Sequence, residues 1–500
     1  MYFVLLTVAI MQKHAKIQKN NGICKSWRCF FLKITDFVNT FFSKLANVYY
    51  FLYLCAVDQS KDERPLTLKD ESRVTNYKSQ NTNFMTIITL KPHKEESVLR
   101  FHPWVFSGAI ARVTLDADHR SPVPDEGELV RVVGANGQVL GVGHWQVGSI
   151  AVRLLAFGVD CLPEHFWQER IAAAYAMRRS IGLIREDNNT YRLVHGEGDR
   201  LPGLIVDIYG ETAVVQAHSV GIHLHRKEIA EAIVATVKEV KGVYYKSDDT
   251  LPYKAPVEGE KTGWLVGGDQ QPAEYWAKEN GLEVRIDWLN GQKTGFFIDQ
   301  RENRALVERY ARGKDVLNMF CYTGGFSLYA LRGGARTVHS VDVSQKAIDL
   351  VNANVARNFP GCTNHKAVTA DAFDYLSAVT NGKIVNDQIV NDQIVNGFDL
   401  IILDPPAFAK HRDAVKNALR GYQRINAKAI EMIRPGGILF TFSCSQAVDK
   451  EAFRLAVFSA AAQTGRHVRI LHQLHQPQDH PINIYHPEGE YLKGLVLYVE

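Results

Sequence analysis

The sequence predicts an α/β protein. Its C-terminal part reads as a mostly parallel, doubly wound sheet, preceded by a small β-barrel and a mixed α+β unit. Three observations predict this. From about Ile286 to Glu500, apolar strand runs alternate with helical spacing, as in a sheet with helices on both faces. Within that part, Asp315–Asp342 reads as strand, tight turn, helix and strand. Before it, several short strands and turns fill about 80 residues after Met85, the pattern of a small barrel.

The Asp315–Asp342 stretch organises the rest. Val316–Phe320 is an apolar run, Tyr322-Thr323-Gly324-Gly325 a glycine turn, and Phe326–Leu331 has helical spacing. Gly333-Gly334 ends the helix, and Thr337–Val341 is a second apolar strand that closes on Asp342. An acid about 20 residues beyond the first strand is where a ribose-binding carboxylate belongs. The glycines let backbone N–H groups approach a ligand, so the stretch reads as a nucleoside-cofactor site. A plain βαβ core also needs glycines at its turns, which is the rival reading.

Composition narrows the class. The chain has 500 residues, enough for about three domains. Hydrophobic content of 46% and charged content of 22% are globular values. The net charge is +4, but residues 1–84 hold twelve Lys/Arg against six Asp/Glu, leaving 46 against 48 in the remainder. A nucleic-acid site must therefore be local, not a strongly basic face. Seven cysteines stand at 24, 29, 55, 161, 321, 362 and 444, with no Cys-x-x-Cys pair. Neither a zinc site nor a disulfide framework is indicated, and a cytoplasmic setting is the default.

Residues 1–84 look foreign to the rest. Tyr2–Ile10 lacks a basic segment before it and a small-residue cleavage site after it, so a signal peptide fits poorly. Phe41–Val57 is nearly long enough to span a bilayer but contains Lys44 and Asn47, so a membrane anchor is not expected. Asp58–Asn83 is polar linker text. Met85 resembles a natural start, with the upstream residues a dispensable extension.

Residues 85–163 form the barrel reading: strands at Thr86–Leu90, Glu128–Val133, Val139–Trp145 and Ile150–Leu155, with Asn136-Gly137 as a hairpin turn. Residues 164–285 read as the α+β unit. It opens with the Ala-rich helix Glu164–Gly182. Strands follow at Tyr191–Val194, Leu204–Ile208, Glu211–Ala217 and Gly242–Lys246, with a helix at Leu224–Val237. Residues 286–500 form the sheet. One oddity interrupts it: IVNDQ at Ile384–Gln388 is repeated at Ile389–Gln393, which reads as a surface-loop insertion.

The chemistry sits at strand ends. Leu400–Leu403 ends in Asp404-Pro405-Pro406-Ala407-Phe408, and Ile438–Phe442 ends in Ser443-Cys444-Ser445. Ligands in open α/β sheets bind beyond the carboxyl ends of strands, so Asp404 and Cys444 are expected side by side. Two prolines fix the first loop. A lone cysteine is often only a small buried hydrophobe, but its place at this edge favours a nucleophile, in a site rich enough in backbone donors to favour the thiolate. Cys321, beside the glycine turn, reads as packing. Thr294–Arg304 opens a helix expected to lie across the cofactor, and Asp371-Ala372 follows the third sheet strand, where an acid can meet an adenine amino group. An Asp at a helix start is also an ordinary cap.

Together, Asn318–Phe326, Asp342, Asp371-Ala372, Asp404-Pro405-Pro406 and Ser443-Cys444-Ser445 resemble the successive motifs of class I S-adenosylmethionine-dependent methyltransferases. With His102–Gly108, Tyr191–Gly203, Thr294–Arg304 and Asp479–Gly494, the chain from about Met85 to Glu500 is similar to the large-subunit ribosomal RNA cytosine-C5 methyltransferases. The resemblance implies an RNA-binding PUA barrel, a central α+β domain and a Rossmann-like catalytic domain. It implies S-adenosylmethionine held by Phe297, Asp299, Gln300, Asn318, Tyr322, Thr323, Gly324, Gly325, Asp342, Asp371, Ala372, Asp404 and Pro405. It also implies Cys444 as nucleophile, with Asp404 at the base edge, and ribosomal RNA of the large subunit as partner. Neither a metal nor a membrane is expected, and a homodimer is left open. Many RNA cytosine-C5 methyltransferases carry a second cysteine in the Asp404 motif; here it reads DPPAF, without one.

Three rival readings fit the residues less well. An amino-methyltransferase would use Asp-Pro-Pro-aromatic, but Ala407 intervenes before Phe408 and Cys444 would have no role. A non-catalytic RNA-binding assembly factor would not need the glycine turn and Asp342 together. A nicotinamide-dependent oxidoreductase lacks its Gly-x-Gly-x-x-Gly turn.

Overall fold

The computed structural model describes residues 85–500, except 116–121, 253–256, 269–273, 382–383, 386–387, 390–396 and 410. The expectations for residues 1–84 lie outside the described residues, as does most of the IVNDQ repeat.

The first unit is a six-stranded sheet of β1 (Ile87–Leu90), β2 (Trp104–Phe106), β3 (Ile110–Thr114), β4 (Leu129–Val133), β5 (Val139–Trp145) and β6 (Ile150–Phe157). Its order is β2-β6-β5-β4-β1-β3. Alternation places Ile88, Leu90, Val130, Val132, Val152 and Leu154 in one apolar core. Sequence patterning located β1, β4, β5 and β6 but not the short β2 and β3.

The second unit has five strands in the order β11-β10-β9-β8-β7: β7 (Thr190–His195), β8 (Leu204–Tyr209), β9 (Thr212–Ala217), β10 (Gly242–Lys246) and β11 (Thr262–Val266). The helices Phe166–Ser180 and Arg226–Thr236 bury Ile171, Ala174, Ile229 and Ile233 against it. A hairpin of β12 (Tyr275–Glu279) and β13 (Leu282–Ile286) follows. It bridges the second and third units: Asn189 N–H donates to Lys278 O at 3.0 Å, and Arg285 N–H donates to Asn354 Oδ1 at 2.8 Å.

The third unit is a seven-stranded sheet, ordered β16-β15-β14-β19-β20-β22-β21. Its strands are β14 (Asp315–Met319), β15 (Thr337–Asp342), β16 (His365–Thr369), β19 (Leu400–Leu403), β20 (Gly437–Ser443), β21 (Val468–His475) and β22 (Lys493–Val499). The five strands from β16 to β20 in that order run parallel, while β22 and β21 are antiparallel additions. Within the repeat, β17 (Ile384–Val385) and β18 (Gln388–Ile389, which spans the junction of the two copies) pair as a short antiparallel ribbon apart from this sheet.

Strands β14, β19 and β20 are buried along their whole length, as central parallel strands must be. Leu317, Met319, Ile401, Leu403 and Leu439 face the helices Val415–Met432 and Lys450–Thr464. Their neighbours Val316, Leu400, Ile402, Ile438 and Phe440 face the helices Arg301–Ala311 and Gly325–Arg332. Strand order reverses between β14 and β19, and the carboxyl ends at such a switch point are where an open α/β sheet forms its ligand crevice.

Buried ion pairs tie the units together. Arg301 meets Asp479 at 2.7 Å and Arg304 meets Glu279 at 2.6 Å, all four side chains nearly inaccessible. Asp479 also accepts the Arg192 N–H of β7 at 3.0 Å, and its carbonyl accepts Arg178 Nη2 at 2.7 Å. No helix of the described residues is long and apolar enough to cross a membrane.

Candidate active site

The crevice is walled first by the turn after β14. Phe320, Tyr322 and Gly324 have φ of 58°, 46° and 79°, and the two non-glycine residues in that left-handed region store strain. The surrounding structure holds it. Cys321 N–H donates to Val341 O at 3.0 Å, Tyr322 N–H to Asp342 Oδ2 at 2.9 Å, and Asn354 Nδ2 to Thr323 O at 2.8 Å. Gly325 admits no side chain, because a Cβ there would lie 2.9 Å from Arg304 Cδ. Asp342, at the end of β15, takes the Ser344 N–H on its other oxygen at 3.0 Å.

Asn318 is the next-to-last residue of β14. It is fully buried in β14 and donates to Ser327 Oγ at 2.9 Å, bracing the helix Gly325–Arg332 against the sheet. Asp371 caps the helix Ala372–Asn381: its Oδ1 accepts Phe373 N–H at 2.8 Å and Asp374 N–H at 3.2 Å. Ala372 is buried in the apolar core of the sheet. These residues stand toward the β16 side of the crevice.

A second wall comes from the segment before the helix Arg301–Ala311. Phe297 packs edge-on against the Tyr322 ring, with centroids 5.1 Å apart. Gln300 is buried, accepts Asn303 Nδ2 at 2.6 Å and hydrogen-bonds the Asp404 carboxyl. Asp299 Oδ2 accepts the Tyr491 hydroxyl at 2.6 Å, while its Oδ1 is buried without a partner.

That orphaned oxygen tests the expected cofactor. A buried carboxylate oxygen with no donor favours a cationic N–H group arriving with a ligand. S-adenosylmethionine carries an ammonium and a sulfonium, so the residues present fit it. Its ribose hydroxyls suit Asp342, whose oxygens each have acceptor capacity left after one backbone N–H. Asp342→Ala should therefore weaken cofactor binding by about 1.5–3 kcal/mol, the scale of a hydrogen bond to a charged group. Isothermal calorimetry checks this; unchanged affinity would remove Asp342 from the site.

The third wall carries the reactive groups. Leu403 of β19 lies beside Thr441 of β20, so the loops starting at Asp404 and Ser443 rise from adjacent strands. Ser445 joins them: its Oγ accepts the Ala409 N–H at 3.2 Å and shares a 2.9 Å hydrogen bond with the Tyr422 hydroxyl. Pro405 is buried and Pro406 exposed, while Phe408 packs on Tyr422 at 4.7 Å. Asp404 and Cys444 each keep part of their surface open, and the charge of Asp404 reaches the Cys444 thiol.

Burial pushes the Asp404 carboxyl up to about 7, and the charge of Asp299 adds to this against the Gln300 hydrogen bond and Arg304. Burial, then Asp404 and Asp299, push the Cys444 thiol up to about 12. This corrects the expectation of a donor-rich, thiolate-favouring site: two carboxylates and poor solvation outweigh the donors. Cys321 is almost wholly buried and its thiol is also pushed well up, by burial and then Asp342.

Sequence reasoning missed Lys493 and Tyr491. Lys493 is buried behind the cysteine turn, donating to Ser445 O at 2.7 Å and Val448 O at 2.6 Å. Burial lowers its ammonium to about 8, against the opposing pull of Cys444, Asp449 and Glu490. It is the cation that offsets the charge at Cys444. The available signal was a single lysine opening the otherwise apolar strand Lys493–Val499. Tyr491 had no signal, because its partner Asp299 is remote in sequence.

Comparison with known proteins agrees with this geometry. The family model for S-adenosylmethionine-dependent methyltransferases matches residues 258–487, and that for a PUA-like domain matches residues 88–157. The ribosomal RNA large subunit methyltransferase I of Tolumonas auensis is 38% identical over 415 residues, covering 82% of this chain and 99% of that protein. The protein of that name from Shewanella frigidimarina is 39% identical over 416 residues, covering 82% and 98%. Two solved structures share the fold. One, described as a SAM-dependent methyltransferase from Streptococcus mutans, has a TM-score of 0.67 at 20% identity, over 83% of this chain and all of that one. The other, a methyltransferase complexed with SAH, has a TM-score of 0.69 at 21% identity with the same coverage. The chain is an S-adenosylmethionine-dependent methyltransferase with a PUA-like domain, and it belongs to the ribosomal RNA large subunit methyltransferase I family.

Proposed function

We propose that the chain methylates carbon 5 of a cytosine in large-subunit ribosomal RNA, with Cys444 as nucleophile and Asp404 as its proton partner. The name that the relatives carry supports the RNA class. One observation carries the finer reading: a part-exposed thiol and a carboxyl of raised affinity for protons stand together on adjacent strand tops. On this reading residues 85–163 serve RNA binding, 164–285 form the central unit, and 286–500 perform catalysis. Exposed Phe101 and Tyr485, 5.3 Å apart at the seam between barrel and catalytic unit, offer faces on which unpaired bases stack.

Carbon 5 of cytosine is a poor nucleophile until carbon 6 is attacked. The thiol is neutral at rest, so its proton must leave as attack proceeds. Asp404, as carboxylate, takes the Cys444 proton while Sγ bonds to carbon 6. The ring electrons shift to a C4–C5 double bond, and N3 takes the proton from Asp404. Carbon 5 is then enamine-like, and Asp404 is again a carboxylate. S-adenosylmethionine, when bound, supplies the electrophile, a methyl group on a sulfonium sulfur. Ser445 and Lys493 hold the cysteine turn in place, and Gln300 orients Asp404. The amino-methyltransferase alternative leaves this thiol without work.

The proton relay fixes a pH dependence. Asp404 must start ionised, so kcat/KM should rise about tenfold per pH unit below about 7 and level above it. Attack by a pre-ionised thiolate would instead keep the rate climbing toward the thiol value of about 12. Asp404→Asn should remove the limb near 7 and slow the reaction by about 10²–10⁴-fold. A profile unchanged in that variant would end the relay.

A further inference from the structure

A second cluster lies where the barrel meets the loop between β21 and β22. His102 comes from the barrel, His486 and Glu488 from the loop. Glu488 Oε2 is 3.6 Å from His102 Nε2 and 3.8 Å from His486 Nε2. One ligand atom from each residue lies within 4.8 Å of the other two. His486 is 2% exposed, yet neither of its ring nitrogens has a hydrogen-bond partner. A buried imidazole with both nitrogens unsatisfied is an anomaly that an ion at this point would resolve.

The spacing suits a metal. Ligands about 2.0–2.1 Å from a tetrahedral ion lie about 3.3 Å from one another. The two imidazole-to-carboxylate separations exceed that by only a few tenths of an ångström. They are too long for direct hydrogen bonds. The ligand orientation also fits. His102 Nδ1 is turned to the Trp104 backbone, 3.2 Å from its N–H, which donates to it, and 3.3 Å from its carbonyl, so Nε2 is the ring nitrogen that faces Glu488. The Trp104 ring packs edge-on against His486 at 4.3 Å and closes one side. Glu488 remains half-exposed, giving an ion a way in from solvent.

We propose that His102, His486 and Glu488 form a binding site for a divalent transition metal, zinc by preference, that clamps the PUA-like barrel to the catalytic unit. Two imidazoles and one carboxylate suit a borderline ion, whereas magnesium and calcium favour all-oxygen sites. The fourth position is left for water. The clamp lies next to Phe101 and Tyr485, each one residue from a ligand, so it fixes both sides of that exposed aromatic pair. Cysteine spacing gave no hint of it, because the ligands hold no cysteine and come from opposite ends of the folded chain.

The test uses the full chain, stripped with a chelator and titrated with zinc alone, cobalt alone and magnesium alone. One tight equivalent of zinc, a cobalt absorption spectrum of a four-coordinate site and a raised melting temperature with zinc but not magnesium are expected. Glu488→Gln, at a half-exposed position, should weaken zinc by more than about tenfold, and His486→Gln should abolish the tight equivalent. No tight zinc, or zinc held equally by the parent and by Glu488→Gln, overturns the site. If His486→Gln fails to fold, the Glu488 variant and the cobalt spectrum decide.

Discussion

Cys444→Ser will nearly abolish methyl transfer while leaving cofactor binding intact. The substitution keeps size and hydrogen bonding but replaces the thiol with a far weaker nucleophile. Loss of roughly 10³-fold or more in single-turnover rate is expected, the scale on which an activated nucleophile acts. The fold should tolerate it, because serine differs from cysteine by one atom and the turn is held by its neighbours. Ser445 bonds Ala409 and Tyr422, and Lys493 grips the Ser445 carbonyl. RNA carrying 5-fluorocytosine should become covalently attached to the parent enzyme, since fluorine cannot leave carbon 5 as a proton does. Peptide mapping should find the adduct on Cys444. An adduct on Cys321, or activity retained in Cys444→Ser, would defeat the assignment and bring the amino-methyltransferase reading forward. Cys321 is a poor rival on physical grounds: it is almost wholly buried, with its amide tied to β15.

Much of this site was legible because its parts are local. The strand ends at Asp342, Asp404 and Ser443-Cys444-Ser445 follow apolar runs that parallel strands require, and strand tops converge by topology. What stayed hidden depends on pairs distant in sequence. Lys493 reaches the cysteine turn only because β22 inserts antiparallel beside β20, an addition that alternating strand and helix text does not predict. Tyr491 reaches Asp299 for the same reason. The direction of the Cys444 shift was also misjudged, because motif order says nothing of how closely two carboxylates crowd a thiol. The short strands β2, β3 and β11 and the hairpin β12-β13 escaped notice. Each is too brief or too mixed in pattern to declare itself without its partner strands.

Asp479 is the position where a single substitution should cost most stability. Its carboxylate is inaccessible and accepts from Arg301 Nη2 and Nη1, at 2.7 and 3.0 Å, together with the Arg192 N–H. Burial alone would raise its affinity for protons, but Arg301 and then His480 outweigh that and hold the carboxyl well below its usual range. Asp479→Asn keeps the shape yet strands the buried Arg301 charge, which costs about 3–5 kcal/mol. The loss should appear in the denaturant midpoint of the transition that reports the catalytic unit, and it should lower cofactor affinity as well. The reason is positional: Asp479 opens the loop that carries Tyr491 to Asp299. The pH dependence follows from the depressed carboxyl. Its stabilisation is fully present above the unfolded value of about 3.9 and is lost as pH falls through the folded value, so the parent and Asp479→Asn should converge in strong acid. Replacing both partners with apolar residues, Arg301→Met with Asp479→Leu, should recover part of the loss, since the penalty lies in the unpaired charge more than in the missing bond. A single-variant loss below about 1 kcal/mol would show that water reaches this seam and that the pair does not hold the second and third units together.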